Sequence, residues 1–441
     1  MKVLVVGSGS REHALTWRLR KSPQVLDIWV AGGNFGTAQI ATNLPLSPDD
    51  VRGIVGTAQR LDIDLVVVGP EQPLTDGLVD ELREAGIAAF GPDKAAARLE
   101  ASKSFARRVM TESGIPCPDY RVFGDESAAL DFLRAHAGRV VVKADGLAAG
   151  KGVALCSTVE ESVIALKGCM SDRIFGAAGE TVVIEDWLEG VEVSVFAFSD
   201  GENISAPVAA CDYKQVHDGD HGPNTGGMGS FSPPAFWTAD LADQVCREVL
   251  SPTIEAMADR GCPYRGMLYA GLMFTRDGPK VLEFNCRFGD PEAQVILPLM
   301  ESDPVEIMQA CIDGTLATTP VNWSERPHVG VVMVSGGYPG AYETGREIFG
   351  LDADVSGDST SVTGLETLVF HAGSQPAMNA DGKTVAITSG GRVLTVVGNG
   401  DTLEEARARA YSRAEQISFE GSYYRRDIGS LNVGNRQGIL T

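Results

Sequence analysis

The first hundred residues constrain the fold most, because apolar runs alternate there with helix-like segments: Lys2–Gly7, Arg11–Lys21, Val25–Ala31, Leu65–Gly69 and Ala88–Gly91. Strands separated by helices cannot close as tight hairpins. They need crossover connections, which give a parallel sheet covered on both faces. The pattern predicts a doubly wound α/β domain. Its first turn, Gly7-Ser-Gly-Ser-Arg-Glu12, begins like a dinucleotide fingerprint but has Glu12 where the third glycine belongs. A strand, glycines and a helix start still aim backbone N–H groups at an anion. A small phosphate or carboxylate is therefore expected in place of NAD; glycines needed only for a tight turn are the alternative.

At 441 residues the chain exceeds one ordinary core, so two to four domains are expected. No uninterrupted apolar run reaches membrane-spanning length, and the start, Met1-Lys-Val-Leu, shows no signal-peptide cleavage pattern. A cytoplasmic protein is expected. With 37 basic against 59 acidic residues the net charge is −22, which opposes general attraction to nucleic acid or anionic membrane. Any phosphate must be captured by local groups. The eight cysteines are scattered and read as small buried hydrophobes. His217 and His221 would suit a metal if helical, but the glycines and proline around them predict a loop.

Beyond residue 100, a helix-like Ser102–Gly114 is stopped by Ile115-Pro-Cys-Pro118. Short strands at Val140–Lys143, Val153–Cys156, Val182–Glu185 and Val193–Phe198 suggest a small α+β unit inserted into a larger one. A helix over Glu292–Gly314 and a linker over Thr319–Pro327 follow. Strands Val329–Ser335, Leu368–His371 and Val393–Gly398 and a helix Leu403–Ile417 then predict a separate C-terminal module.

Chemistry concentrates in three segments. In Val281-Leu-Glu-Phe-Asn-Cys-Arg-Phe-Gly-Asp-Pro-Glu292, an extended chain puts Glu283, Asn285 and Arg287 on one face and Leu282, Phe284 and Cys286 on the other. One face then offers hard oxygens for Mg²⁺ and a guanidinium for phosphate or carboxylate; an edge strand with a polar solvent face is the plain alternative. In Val140–Val153, Lys143 and Lys151 flank a loop of glycine and alanine, small enough for backbone N–H groups to approach phosphate. In Val182–Glu192, main-chain groups near Glu185 and Leu188 suit an adenine edge and Glu192 suits ribose hydroxyls. Phosphate cover, base clamp and metal face occur in an order that fits a nucleotide.

These segments and others, GSGSREHAL at Gly7–Leu15, GPEQPL at Gly69–Leu74, LEASKSFA at Leu99–Ala106, VKADGLAAGKGV at Val142–Val153, GPNTGGMG at Gly222–Gly229, LYAGLM at Leu268–Met273, LEFNCRFGDPE at Leu282–Glu292 and YRRDIG at Tyr424–Gly429, carry a resemblance running nearly end to end. The chain resembles the ATP-grasp superfamily and, closely, its phosphoribosylamine–glycine ligase (glycinamide ribonucleotide synthetase) family of purine biosynthesis.

The resemblance implies an N-terminal α/β domain at 1–102, an ATP-grasp domain at 103–327 with a mobile B-subdomain at about 122–190, and a C-terminal α+β domain at 328–441. It implies that ATP, glycine and 5-phosphoribosylamine give glycinamide ribonucleotide, ADP and phosphate through glycyl phosphate. Lys103, Lys143, Gly150, Lys151 and Gly152 would meet the ATP phosphates, and Glu185, Leu188 and Glu192 the nucleoside. Glu283 and Asn285 would hold Mg²⁺ (or Mn²⁺), completed by phosphate and water because Leu268–Met273 supplies no carboxylate. Arg287 would stabilise the acyl phosphate; Gly9, Arg11, Glu71, Lys214, Asn224, Thr225, Gly226, Gly227 and Arg425 would contact substrate. Arg425 could instead be a solvated terminal charge. Asp212 and Asp290 are the candidates for taking the amine proton. The family usually reads Gln-Asp-His-Lys-Arg where this chain has Cys211-Asp-Tyr-Lys-Gln215. Partners implied are the small-molecule substrates and a transient contact with the enzyme supplying phosphoribosylamine. Another ATP-grasp carboxylate–amine ligase or carboxylase, and a nucleotide-binding regulator, are the competing readings.

Overall fold

The structure, a computed structural model, describes residues 1–136, 138–148, 151–351 and 367–430. Its N-terminal sheet has five parallel strands in the order Thr42–Leu44, Asp27–Gly32, Lys2–Gly7, Leu65–Val68, Ala88–Phe90. Leu4, Val6, Val66 and Val68 pack into one core cluster and Val3, Val5, Leu65 and Val67 into another. Alternate residues thus bury both faces, which is why these strands read as unbroken apolar runs. The strand order reverses beside Lys2–Gly7, so the Gly7–Arg11 turn lies where doubly wound sheets open a crevice.

A second sheet has eight strands, all antiparallel to their neighbours: Gly278–Asn285, Arg265–Thr275, Val191–Asp200, Val208–Asp212, Gly229–Ser232, His328–Val334, Arg392–Asn399 and Thr367–His371. The expected C-terminal strands therefore extend this sheet, through Gly229–Ser232 pairing with His328–Val334, and do not form a detached one. A third sheet, Tyr120–Phe123, Val182–Asp186, Val140–Ala144 and Val153–Cys156, carries helices Glu126–Ala135 and Val159–Met170 and its own small core. Val193–Phe198, expected in that small unit, lies instead in the middle of the large sheet. The strand Val191–Asp200 is buried along nearly its whole length, with Val193, Val195 and Ala197 in one core and Phe196 and Phe198 in the other.

The single helix expected over Glu292–Gly314 is broken into Ala293–Ile296, a 3₁₀ turn at Leu297–Leu299 and Pro304–Asp313. Pro298 and Pro304 cannot donate within a helix, and Asp303 starts the last piece by accepting from Val305 N at 2.9 Å. The stretch expected as a linker is anchored, since Trp323 stacks on Phe198 with centroids 6.2 Å apart. Around the two histidines the expected loop is a short hairpin, Gln215–His217 against His221–Asn224, turning through Asp220 and Gly219 at positive φ. A hairpin of Ser374–Met378 and Thr384–Thr388 was not legible in the sequence. Among the described residues no helix is long and apolar enough to cross a membrane.

Candidate active site

The strand Gly278–Asn285 does not keep one register. Leu272 faces Val281 while Gly271 faces Glu283, so Leu282 is an extra residue, a β-bulge. Val281 joins Phe284 and Cys286 in the core, and Leu282, expected beside them, is left partly exposed. Glu283, Asn285 and Arg287 still come together: Asn285 Nδ2 lies 3.4 Å from Glu283 Oε1, and Arg287 Nη2 donates to Asn285 Oδ1 at 3.1 Å. Burial opposes the charge on Glu283, yet Lys214, Lys143 and Lys103 hold its carboxyl below the ordinary range. The facing strand presents Gly271 opposite Glu283 and Tyr269 opposite Asn285, so it adds no carboxylate. Among the described residues no group of three His, Cys, Asp or Glu is arranged for a metal. A carboxylate and an amide oxygen fit a hard, water-rich cation such as Mg²⁺ or Mn²⁺ and leave positions for phosphate.

Arg287 is held from the other side by Glu100 Oε1 at 2.9 Å and Glu71 Oε2 at 3.3 Å. Burial works against Glu71, but Arg287 and Arg11 bring it down to about 2. Burial wins at Glu100, whose carboxyl is raised despite Arg287 and the Cys286 N–H that it accepts at 2.7 Å. Glu100 was missed as a site residue, although it sits within the Leu99–Ala106 motif. Arg11, 7% exposed, donates to Glu12 at 2.6 Å and to the Phe288 carbonyl at 3.2 Å. Glu12 explains the missing third glycine. Its carboxylate accepts the Gly9 N–H at 2.6 Å and fills the space under the turn, where a Cβ on Gly7 would lie 2.4 Å from its Cγ. The Gly9 N–H expected for a substrate anion is thus occupied, which corrects that assignment; Arg11 remains at the crevice.

Lys143 projects from the small unit and is buried, its Nζ 2.8 Å from Glu185 Oε2 and 2.9 Å from the Leu282 carbonyl. Desolvation lowers its pKa although Glu185 opposes this. Glu185, expected to meet the nucleoside, is a buried counter-ion, bonded also to Arg107 at 2.6 Å. Its main chain sits between paired strands, opposite Tyr120 and Val141, so it is not a free edge for a base. Leu188 lies beyond that strand end and is half-buried. Lys103 Nζ is 3.4 Å from the Gly146 carbonyl, Lys151 is exposed, and the Gly152 carbonyl accepts from Ala144 N at 2.8 Å. Gly150 lies outside the described residues.

Glu192 pairs with Lys214 and keeps about a third of its side chain exposed. Asp212 ends the strand Val208–Asp212 opposite Ser230. Burial pushes its carboxyl up to about 8; Lys214 pulls it down, and Glu292, Glu192 and Glu283 add to the rise. Lys214 stays charged, raised by the carboxylates around it against its own desolvation. In the glycine-rich loop, Thr225 Oγ1 donates to the Lys214 carbonyl at 2.8 Å and Gly226 N to Tyr338 Oη at 3.0 Å, while Asn224 is exposed. Gly227 has φ 110° and no room for a side chain, a Cβ there falling 2.3 Å from Pro291 Cδ. Arg392, also missed, bonds the Gly226 and Asp290 carbonyls and pairs with the Asp290 carboxylate at 3.1 Å.

Arg425 fits neither expectation, substrate contact or solvated charge. It is fully buried, with Asp427 Oδ2 at 2.6 Å, Asp220 Oδ1 at 3.0 Å, the Gln215 carbonyl at 2.9 Å and the Tyr213 ring at 4.8 Å. It holds the 215–224 hairpin to the C-terminal segment.

The sequence matches the phosphoribosylglycinamide synthetase N domain over residues 1–100, the ATP-grasp (A) domain over 101–293 and the C domain over 328–431. It is 47% identical over 440 residues to phosphoribosylamine–glycine ligase of Allochromatium vinosum, covering 99% of this chain and 100% of that protein. It is 49% identical to part of the trifunctional purine biosynthetic protein adenosine-3 of Gallus gallus, spanning 97% of this chain and 42% of that protein. The crystal structure of phosphoribosylamine–glycine ligase from Thermotoga maritima superposes with a TM-score of 0.80 at 34% identity, covering 97% of this chain and 100% of that one. The biotin carboxylase domain of Hydrogenobacter thermophilus 2-oxoglutarate carboxylase, at TM-score 0.69 and 15% identity, covers 96% of this chain and 91% of that one and shares the fold. With all three domains matched in order, the chain belongs to the phosphoribosylglycinamide synthetase family, built on the ATP-grasp fold.

Proposed function

We propose that the chain is an ADP-forming carbon–nitrogen ligase of purine biosynthesis that joins glycine to 5-phosphoribosylamine at the expense of ATP. The observation that carries this reading is the match of all three family domains along the chain, with the Glu283–Asn285–Arg287 face assembled in the middle one. A free carboxylate is a poor acyl donor because oxide would have to leave. Transfer of the γ-phosphoryl group to a glycine carboxylate oxygen gives glycyl phosphate; the amine then attacks its carbonyl carbon, and phosphate leaves with the bridging oxygen.

Glu283 and Asn285 would hold a Mg²⁺ or Mn²⁺ that neutralises charge on the transferring phosphoryl group. Lys143 and Lys103 would bind ATP phosphates once Lys143 exchanges its Leu282 and Glu185 contacts, and Arg287 would face the acyl phosphate. Leu188 and Glu192 suit the nucleoside. Lys214 and the Thr225–Gly227 loop suit glycine or the amine, and Arg11 with Glu71 the phosphoribosyl end. Burial pushes the Asp212 carboxyl up to about 8 with Lys214 already beside it, so a bound cation would help it to ionise and accept the amine proton. Asp290 pairs with Arg392, so its carboxylate is already engaged. The domain limits 1–102, 103–327, with a mobile subdomain at about 122–190, and 328–441 are part of this reading, as are a cytoplasmic location and a transient contact with the enzyme supplying phosphoribosylamine.

A coupled ADP-release assay with ATP, glycine and freshly generated phosphoribosylamine tests the assignment. Turnover is expected only with all three present; ADP release indifferent to glycine or to the amine would overturn it.

A further inference from the structure

Arg107, on the helix Lys103–Glu112, is 2% exposed and has no part in the roles above. Its Nε donates to Glu185 Oε1 at 2.6 Å, its Nη1 to the Val281 carbonyl at 2.8 Å and its Nη2 to the Leu282 carbonyl at 2.8 Å. The last two acceptors are consecutive, and in a regular strand consecutive carbonyls point to opposite sides. The bulge at Leu282 is what lets one guanidinium reach both.

The bulge also matters for the face that follows it. Val281 and Glu283 are two residues apart and would share a face in a regular strand. Here Val281 is in the core with Phe284 and Cys286, and Glu283 is on the opposite face with Asn285. Removing the extra residue would force a choice between burying Val281 and presenting Glu283. The bulge is held by the planar fork of Arg107, with Lys143 Nζ as a second donor to Leu282 at 2.9 Å. Through Glu185, Arg107 also ties the small unit to this strand. A lysine at 107 keeps the charge opposite Glu185 but lacks the fork.

We propose that Arg107 is a positioning residue: it fixes the Leu282 bulge and so sets Glu283 and Asn285 in the geometry that binds the metal–nucleotide pair. The proposal rests on the reading of Glu283 and Asn285 as the metal face. A merely structural arginine would affect the folded fraction and every kinetic constant together.

The test uses full-length Arg107→Lys and Arg107→Met. In the ligand-free proteins, amide hydrogen exchange should speed up by about tenfold or more over 278–286, with the N-terminal sheet unchanged. KM for Mg-ATP should rise about tenfold to a hundredfold, the range typical of partners that orient metal ligands, while KM for glycine stays put. Unchanged exchange over 278–286, parallel changes in all the constants, or failure of both variants to fold would each overturn the proposal. Exchange needs neither ligand nor turnover, so if the wild type proved indifferent to Mg-ATP the functional reading would fail while the bulge was still decided.

Discussion

Arg287 and Arg425 are both arginines held between two carboxylates, yet they are built for different work. Arg425 is fully buried and four of its five N–H donors are taken: Asp427 takes Nε and one on Nη2, and Asp220 and the Gln215 carbonyl take both on Nη1. Arg287 keeps 16% of its side chain exposed, and its Nε, 3.3 Å from Glu71, is not aligned to donate. A fully buried guanidinium so engaged is suited to holding structure, whereas one with a misaligned donor beside hard oxygens can still turn toward an incoming anion. The sequence left Arg425 between a substrate contact and a solvated terminal charge; the geometry of its partners is what separates it from Arg287.

Six substitutions can break or sharpen this contrast. Arg287→Ala and Glu283→Gln should each lower kcat by on the order of a hundredfold to a thousandfold, the cost of removing a group that meets charge in the transition state. They should differ in the folded state. Glu283→Gln should leave the thermal midpoint nearly unchanged, but Arg287→Ala leaves Glu71 and Glu100 without their nearest cation, with Arg11 4.0 Å from Glu71, and should lower it. Arg425→Ala should do the reverse of Glu283→Gln: loss of a buried partner to two carboxylates is worth about 3 kcal/mol, read by urea unfolding, with turnover per folded molecule retained. Loss of turnover in well-folded Arg425→Ala would return that residue to the substrate site.

A smaller effect is expected from pH. The Glu71 carboxyl falls to about 2 in the folded state from an ordinary value of 4.5, so its pairing contributes stability above about 4.5 that is lost as pH falls through about 2. Glu71→Gln should therefore cost stability at pH 6, about 2 kcal/mol after discounting for a side chain 29% exposed, and only a few tenths of that by pH 2. A deficit undiminished at pH 2 would mean that packing, not charge, ties Glu71 to Arg287. Smallest of all, Leu282→Ala should cost under about 1 kcal/mol because the bulge takes Leu282 out of the core, whereas Val281→Ala should cost about 2 kcal/mol. Equal losses would contradict the register.

Much of this was legible in the chain because its signals are local. Spacing by two placed Glu283, Asn285 and Arg287 together, and strand–helix alternation gave the parallel N-terminal sheet in outline. Glu12 was visible as an anomaly, and its position three residues after Gly9 is the spacing of a capping box. What stayed hidden depends on distant partners. The Leu282 bulge is held by an arginine 175 residues earlier, and Arg425 is neutralised by an aspartate 205 residues away. The continuity of the large sheet hinges on Gly229–Ser232 finding His328–Val334. Glu185 had the polarity of a ligand residue, and only the buried cations around it show that it is a counter-ion.

The central claim is that this site activates glycine by phosphorylating its carboxylate, and oxygen transfer tests it most directly. With glycine labelled by ¹⁸O in its carboxylate, the account predicts that each inorganic phosphate released carries one labelled oxygen, in step with product formation. Phosphate free of label, formed at the same rate as glycinamide ribonucleotide, would contradict it.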